Sequence, residues 1–225
     1  MNVIEQAVRQ GRTALSEYES KKVLGEYGIP VTKEILITYK RDLIKACREI
    51  GYPLVLKACS PDITHKTELG MVKIDIRTDE ESLAAFEEIS QSMNGVQQGV
   101  LAQEMVKGKR ELVVGMTRDP QFGPCVMFGL GGIFTEILGD VTFRIAPLTR
   151  ADARQMTRDI RGSKILNSVR GMEEADVDAL SDILINVGRI GLENGTVKEV
   201  DINPLIIVGS RPVAVDSLII LDKAI

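Results

Sequence analysis

Residues 101–140 read LAQEMVKGKRELVVGMTRDPQFGPCVMFGLGGIFTEILGD and set the expectation for the fold. Three short apolar runs are separated by the turn signals KGK and RDPQFG, and the third run ends in a glycine-rich loop. A fourth run, DVTFRIA, follows that loop. Short strands at this spacing predict an antiparallel sheet.

The sequence on either side of this stretch predicts helices and further strands. Capping-box patterns mark two helix starts, and apolar runs bounded by turn residues mark the strands. In chain order, the expected elements are a helix from Ser16-x-x-Glu19, strands at 31–38, 54–59 and 71–77, a helix from Thr78-x-x-Glu81, helices near 150–159 and 173–194, and paired strands around a turn at 209–212. We therefore predict an α+β protein. The boundary is expected near residues 95–99, between a first lobe, 1–98, and a second lobe, 99–225.

Composition excludes several classes of protein. The 225 residues carry 28 Lys and Arg against 32 Asp and Glu, so no general basic field favours nucleic acid or an anionic membrane. No apolar stretch approaches the roughly 20 residues that span a bilayer, and the first residues lack a signal-peptide core, so we expect a cytoplasmic protein. The cysteines are odd in number and form no CxxC pair, which argues against disulfides and a cysteine zinc site.

The glycine-rich loop GLGG, residues 129–132, is a candidate phosphate-binding element. Gly131 and Gly132 follow an apolar strand, and glycines there let backbone N–H groups approach a phosphate closely. The dinucleotide fingerprint GxGxxG fails because Phe134 stands at the final glycine position. The loop by itself is equally consistent with a plain tight turn.

The segment EVDINP, residues 199–204, is a candidate metal site. Asp201 and Asn203 are two residues apart in a strand and so share a face, and a hairpin partner can bring Asp216 beside them. Carboxylate and amide oxygens of this kind suit Mg²⁺, whose remaining positions are filled by water and nucleotide phosphates. The alternative is a solvated sheet face with an Asn-Pro turn.

Lys57 and His65 are the remaining candidates. Lys57 lies inside the apolar run LVLKAC, where an unpaired ammonium is costly, so it binds a phosphate or forms a structural ion pair. His65 is the single histidine of the chain, which excludes His-rich metal sites.

Taken together, these segments resemble the ATP-grasp superfamily, and within it the nucleotide-binding β subunit of ADP-forming acetyl-CoA synthetases, which are relatives of succinyl-CoA synthetase. The resemblance covers nearly the whole chain. It rests on SEYESKKVLGEYGIP, YPLVLKACSPDITHKTELGMV, the stretch at 101–140, EVDINPL and AVDSLII, in that order.

The resemblance implies an ATP-grasp fold in which two α+β lobes hold ATP or ADP between two sheets. It also implies roles for individual residues. Those implied to bind the nucleotide are Lys57, Glu104, Val106, Glu111, Gly131, Gly132 and Arg144; those implied to bind Mg²⁺ are Asn203, Asp216 and, in the acidic position before them, Asp201. His65 matches a phosphorylatable histidine, and a neutral imidazole is a suitable phosphate carrier near pH 7.

The resemblance further implies a partner. No CoA-binding Rossmann domain is recognisable in the chain, so we expect a separate CoA-binding α subunit and an α2β2 heterotetramer, with ATP or ADP as substrate and Mg²⁺ as cofactor. The main alternative is a regulatory ATP-grasp-like domain, of the kind fused to protein acetyltransferases. A carboxylate–amine ligase of the same superfamily is a third reading, which has less support because such enzymes do not need a loop histidine.

Overall fold

The computed structural model describes residues 2–61, 70–93, 99–132, 139–168 and 171–222. The chain divides into two compact units. The large unit comprises Met1–Leu15, Glu19–Val31 and Lys107–Ile225, and the small unit comprises Ser16–Tyr18 and Thr32–Val106. Each unit contains one antiparallel sheet and helices, so the α+β class predicted from the sequence is confirmed.

The secondary structure alternates between helices and strands in the first half and is rich in strands in the second. The helices are α1 (Val3–Arg9), α2 (Glu17–Glu26), α3 (Leu43–Ile50), α4 (Asp79–Ser92), α5 (Arg150–Asp159) and α6 (Val177–Glu193), with 3-10 turns at Lys40–Asp42 and Ser163–Leu166. The strands are β1 (Glu34–Ile37), β2 (Leu54–Cys59), β3 (Val72–Ile76), β4 (Gly99–Glu104), β5 (Arg110–Asp119), β6 (Gly123–Leu130), β7 (Val141–Ile145), β8 (Val197–Val208), β9 (Arg211–Ala214) and β10 (Ser217–Leu221).

The small unit has a four-stranded sheet in the order β1-β4-β2-β3. Helices α3 and α4 pack on one face, where Leu54 and Leu56 of β2 join the small core. Thr78 caps the start of α4, because its Oγ1 accepts from the Glu81 N–H at 3.1 Å. The reciprocal bond of the predicted capping box differs, since Glu81 Oε2 accepts from the Arg77 N–H at 2.6 Å instead of the Thr78 N–H. This packing leaves alternate residues of β2, including Lys57, on the opposite face.

The large unit has a sheet in the order β10-β8-β5-β6-β7, and β9 also pairs with β8. Leu112 and Val114 of β5 point into the core with Val126 and Phe128 of β6, and α6 packs on this face. We call it the helix face. Because side chains alternate along a strand, the neighbouring residue Glu111 lies on the other side, which we call the second face.

Strand β4 shows where the predicted boundary between 1–98 and 99–225 differs from the structure. Residues 99–104 were expected to begin the second sheet, but β4 pairs with β1 and β2 inside the small sheet, and the units divide after Val106. In addition, the residues of α1 group with the large unit. The short loop after β4 has the composition of a hairpin turn, yet it joins two different sheets.

The carboxyl-terminal elements follow the prediction with two differences. Strand β8 pairs with β9 and β10, whereas the sequence predicted a single closing strand; Val215 and Asp216 interrupt it. Helix α6 begins at Val177 instead of near residue 173, because Asp176 caps it by accepting from the Ala179 N–H at 2.9 Å. In the described residues, no helix has the length and apolar character needed to cross a membrane.

Asp140 anchors the chain just before β7 and makes stability dependent on pH. Its carboxylate is 5% exposed and accepts the backbone N–H groups of Arg161 and Gly162, each at 2.7 Å. Burial alone raises the pKa of Asp140, but these N–H donors outweigh burial and hold the pKa below its usual value. The stability from this carboxylate is therefore present above about pH 4 and is lost as the pH falls through the lowered pKa.

We expect Asp140→Asn to lower the free energy of unfolding at pH 7 by about 2 kcal/mol, because charge-assisted hydrogen bonds are lost. The difference from the parent should shrink below about pH 4, where Asp140 itself becomes protonated. Urea denaturation across this pH range measures both effects. Asp182→Asn, at an exposed carboxylate on α6, is the control and should change stability by less than about 0.5 kcal/mol. A parent–variant difference that is constant with pH would contradict this role.

Candidate functional site

The glycine-rich loop packs directly against Glu111. The Gly131 N–H donates to the Glu111 carbonyl oxygen at 2.8 Å. A Cβ on Gly131 would lie 2.8 Å from three backbone atoms of Leu112, and a Cβ on Gly132, where φ is +62°, would lie 2.5 Å from Glu111 Oε2. The structure therefore brings together Glu111, Gly131 and Gly132, which the sequence proposed separately, and explains why glycine is required at both positions.

We expect Gly131→Ala to destabilise the chain by about 1–3 kcal/mol, because the added methyl group collides with backbone atoms that cannot move aside. Displacement of Glu111 should also weaken nucleotide binding. Thermal denaturation and nucleotide titration measure the two effects. Gly195→Ala is the control, since a Cβ there meets nothing within 4 Å. Equal stability of the two variants would show that the loop does not pack against β5 as described.

A pair of carboxylates lies on the second face of the large sheet. Asp201 of β8 is the cross-strand partner of Leu218 and of Gly115, and Asp216 directly precedes β10. Burial, together with the nearby charges of Glu199 and Asp216, raises the pKa of Asp201 to about 6. Asp216 is therefore close enough to Asp201 for their charges to repel each other, which agrees with the proximity predicted from the sequence.

A β-bulge places Asn203 beside this pair. The register of β5 against β8 shifts between Leu112 and Val114, so Asn203 and Pro204 together face a single residue of β5. Proline cannot donate to a sheet ladder, and a bulge accommodates it within a central strand. Asn203 is exposed, and the Pro204 carbonyl accepts from the Val215 N–H at 3.0 Å, which holds the segment before Asp216 against the bulge.

The donor set fits a hard cation with an incomplete protein shell. Asp201, Asn203 and Asp216 each offer a side-chain oxygen, and a cation near Asp201 would offset both the burial of its charge and the repulsion from Glu199 and Asp216. Among the described residues, no group of three or more His, Cys, Asp or Glu side chains is arranged to hold a metal by itself. Mg²⁺ suits such a site, since it needs only one or two carboxylates and takes its other ligands from water and phosphates.

Lys57 lies in the small unit and is ion-paired. It is 6% exposed, and its Nζ donates to Glu17 Oε1 at 2.9 Å. Both side chains are buried. From the sequence, Lys57 was expected either to bind a phosphate or to form a structural ion pair, and an ion pair is present. Its partner, Glu17, was not identified from the sequence. Acidic residues are common at the start of helices, so the position of Glu17 does not by itself mark it as the partner of Lys57.

Glu104 is the last residue of β4, whereas Val106 lies in the loop that follows this strand. Glu104 is the cross-strand partner of Leu54 and so lies on the helix-covered face of the small sheet, where its Oε1 accepts from the Lys33 N–H at 2.7 Å. This face is the one opposite to Lys57. Val106 follows β4, and none of the described backbone hydrogen bonds involves it. Its N–H and C=O match what backbone recognition of a base requires.

Arg144 is not brought to the second face of the large sheet. Its cross-strand partner is Val126, a core residue, so its side chain lies on the helix face. There it forms an ion pair with Asp159 of α5. The neighbours of Arg144 on β7, Phe143 and Ile145, occupy the second face and are exposed. We therefore leave Arg144 out of the candidate site.

His65 lies outside the described residues, so its predicted role stays a prediction. One further polar residue lies on the same face of the small sheet as Lys57. Gln103 of β4 is the cross-strand partner of Val55, which is two residues before Lys57, and it is 1% exposed. The only sequence signal for Gln103 is a polar residue after the apolar run VLA at 100–102.

Comparisons with known proteins identify the family of the chain. The ATP-grasp domain family matches residues 6–221. Subunit beta of acetate–CoA ligase (ADP-forming) I from Pyrococcus furiosus is 45% identical over 224 residues, which are 97% of this chain and 96% of that one. Acetate–CoA ligase (ADP-forming) I from Archaeoglobus fulgidus is 39% identical over 227 residues, which are 99% of this chain but 33% of that longer protein.

Solved structures of one further relative are also similar. The dinucleotide-forming acetyl-coenzyme A synthetase 1 from Candidatus Korarchaeum cryptofilum, in complex with coenzyme A and Ca-AMPCP, is 43% identical over 98% of each chain with a TM-score of 0.93. A second structure of it, with coenzyme A and Mg-AMPPCP, has a phosphohistidine segment that points towards the nucleotide binding site and a TM-score of 0.87. The chain therefore belongs to the ATP-grasp family, among the β subunits of ADP-forming acetyl-CoA synthetases.

Proposed function

We propose that this chain passes a phosphoryl group between His65 and a Mg-bound adenine nucleotide, as its part of an ADP-forming acyl-CoA synthetase reaction. The observation that carries the proposal is the group on the large unit: Asp201 and Asp216 on the second face, with the glycine-rich loop packed on Glu111. Family membership and the matching relatives support the same activity.

Each unit contributes its own part to the chemistry. In the large unit, the glycine-rich loop offers backbone N–H groups to phosphate oxygens, and Glu111 accepts from a sugar hydroxyl. In the small unit, Lys57 neutralises phosphate charge, and the backbone of Val106 hydrogen-bonds the base. Phosphoryl transfer depends mainly on alignment and charge neutralisation, so these contacts are the chief contribution of the protein.

Asn203, Asp216 and Asp201 would hold Mg²⁺, and the ion would supply charge neutralisation on the phosphates. The chain's own nucleophile is the neutral imidazole of His65. In the direction of ATP synthesis, the bond from phosphorus to the imidazole nitrogen breaks as an oxygen of the ADP β-phosphate bonds to that phosphorus. The electron pair returns to the nitrogen, and the reverse step forms the phosphohistidine.

The partner is proposed to be a CoA-binding α subunit, in an α2β2 heterotetramer. The Pyrococcus relative is named as a subunit, and the Archaeoglobus relative spans about three times the matched length in one chain. Both facts fit a second functional part outside the region that this chain covers. The regulatory reading is not favoured, because these relatives are named as ligases.

We expect Asp216→Asn to remove most of the Mg²⁺-dependent part of nucleotide binding, because one of two carboxylate ligands is lost. Thermal shift with ADP, in Mg²⁺ and in EDTA, measures it, since a ligand that binds only the native state raises the melting temperature. Asp222→Asn, at an exposed carboxylate after β10, is the control and should behave as the parent. Absence of any nucleotide-induced shift in the folded parent at millimolar Mg-ADP would count against the proposed function.

A further inference from the structure

The ion pair between Glu17 and Lys57 joins two opposite charges that are both buried. The side chain of Lys57 is 7% exposed and that of Glu17 is 0% exposed, at an Nζ–Oε1 distance of 2.9 Å. The ion pairs Arg12–Glu19 and Arg161–Asp140, by contrast, each have at least one partner whose side chain is more than a fifth exposed. A buried pair of this kind is rarely kept for stability alone, because desolvation offsets much of the attraction.

We propose that Glu17 is a positioning residue that holds the ammonium of Lys57 in place for the nucleotide phosphates, which rests on the proposed function. Lysine has a flexible four-carbon stem, so its charge is poorly located without a fixed acceptor. Glu17 stands at the first position of α2, where the helix backbone fixes the start of its side chain. Lys57 stands in a strand paired on both sides, by β3 and β4. Both residues belong to the small unit, so this hydrogen bond fixes Nζ within that unit.

The chemistry of the two groups allows a phosphate to bind without breaking this bond. An ammonium has three N–H donors, so donation to one carboxylate oxygen does not exhaust its capacity for phosphate oxygens. Glutamine at residue 17 would keep the shape and one acceptor oxygen but would lose the charge that holds the ammonium.

The test is a double-mutant cycle on nucleotide binding, with folded state and stability measured in parallel. The variants are Glu17→Gln, Lys57→Met and the two combined, and the probe is Mg-ADP in calorimetric titration. The inference predicts that Glu17→Gln raises the Kd for Mg-ADP about tenfold when Lys57 is present and has little effect when Lys57 is already Met. Glu17→Asp, which keeps the charge at a shorter reach, should restore part of the affinity.

The matched control is Glu19→Gln on the same helix. Glu19 is also ion-paired, with Arg12 at 2.7 Å, so the same substitution removes a similar charge without touching Lys57. It should leave the Kd unchanged. A Glu17→Gln chain that is less stable yet binds Mg-ADP as the parent does would overturn the inference and leave the proposed function intact. A folded parent that binds no Mg-ADP would overturn both. If Glu17→Gln does not fold, the Glu17→Asp chain is used as the test variant. A Glu17→Asp chain with the affinity and stability of the parent would contradict the positioning role.

Discussion

A complex assembled with the His65→Asn chain should lose coupled acyl-CoA turnover by at least about a thousandfold, because the reaction loses its covalent phosphate carrier. His65 is the single histidine of the chain, so no other imidazole in it can take over. Asparagine is close in size and cannot form a stable phosphoryl adduct of this kind. Steady-state assays with CoA, acyl substrate and Mg-nucleotide measure the loss.

The control for this substitution is nucleotide binding. Lys57, Asn203 and Asp216 are untouched, so Mg-ADP should raise the melting temperature of the variant as it does that of the parent. A variant that fails to bind would point to misfolding and would be replaced by His65→Gln. Turnover retained in a correctly assembled variant would show that phosphate reaches ADP without this imidazole.

The second large effect is expected at Lys57. Lys57→Met keeps most of the apolar stem but breaks the buried ion pair with Glu17, which should cost about 3–5 kcal/mol of unfolding free energy. The loss of a charged donor should also weaken binding of Mg-ADP by at least about tenfold. Urea denaturation and calorimetric titration measure the two effects independently.

Lys45→Met is the matched control, at an exposed position on α3. It should change stability by less than about 0.5 kcal/mol and leave nucleotide binding unaltered. A Lys57→Met chain that is destabilised but binds Mg-ADP normally would assign Lys57 to structure alone. In that case the phosphate contact proposed for it is wrong.

The sequence was sufficient for the class of fold and for the closing strands. The apolar runs at β5 and β8 and the turn at 209–212 are local signals, so they can be recognised without knowledge of tertiary contacts. The partner sheet of β4 could not be derived in this way. A strand that is buried on both faces has no preferred side, and the loop after it is as short as a hairpin turn whether or not it changes sheet.

Arg144 shows why a face is harder to predict than a strand. The run DVTFRIA alternates polar and apolar residues, and apolar residues on one face are ordinarily expected to point into a core. In the structure, Phe143 is 49% exposed and Arg144 lies on the helix face with Asp159. Which residues of β7 face the helices is thus determined by the pairing of β7 with β6 and by the contact with α5. Both are tertiary features that the local sequence does not contain.

Glu17 illustrates a different limit. It is forty residues before Lys57, and a carboxylate at a helix start is common, so nothing local marks it as the partner of a buried lysine. By contrast, Asp201 and Asp216 could be paired from the sequence, because two strands joined by a short connection have few possible registers.

Transfer of labelled phosphate from Mg-ATP into the complex tests the central claim most directly. With the terminal phosphate labelled, we predict an acid-labile, base-stable label on the parent chain. The label should require Mg²⁺ and should be absent from the His65→Asn chain, which still binds nucleotide. Discharge by added ADP should return the label as ATP. The account would be contradicted if the parent and the His65→Asn chain carried equal amounts of label. It would also be contradicted if the two complexes turned over at the same rate.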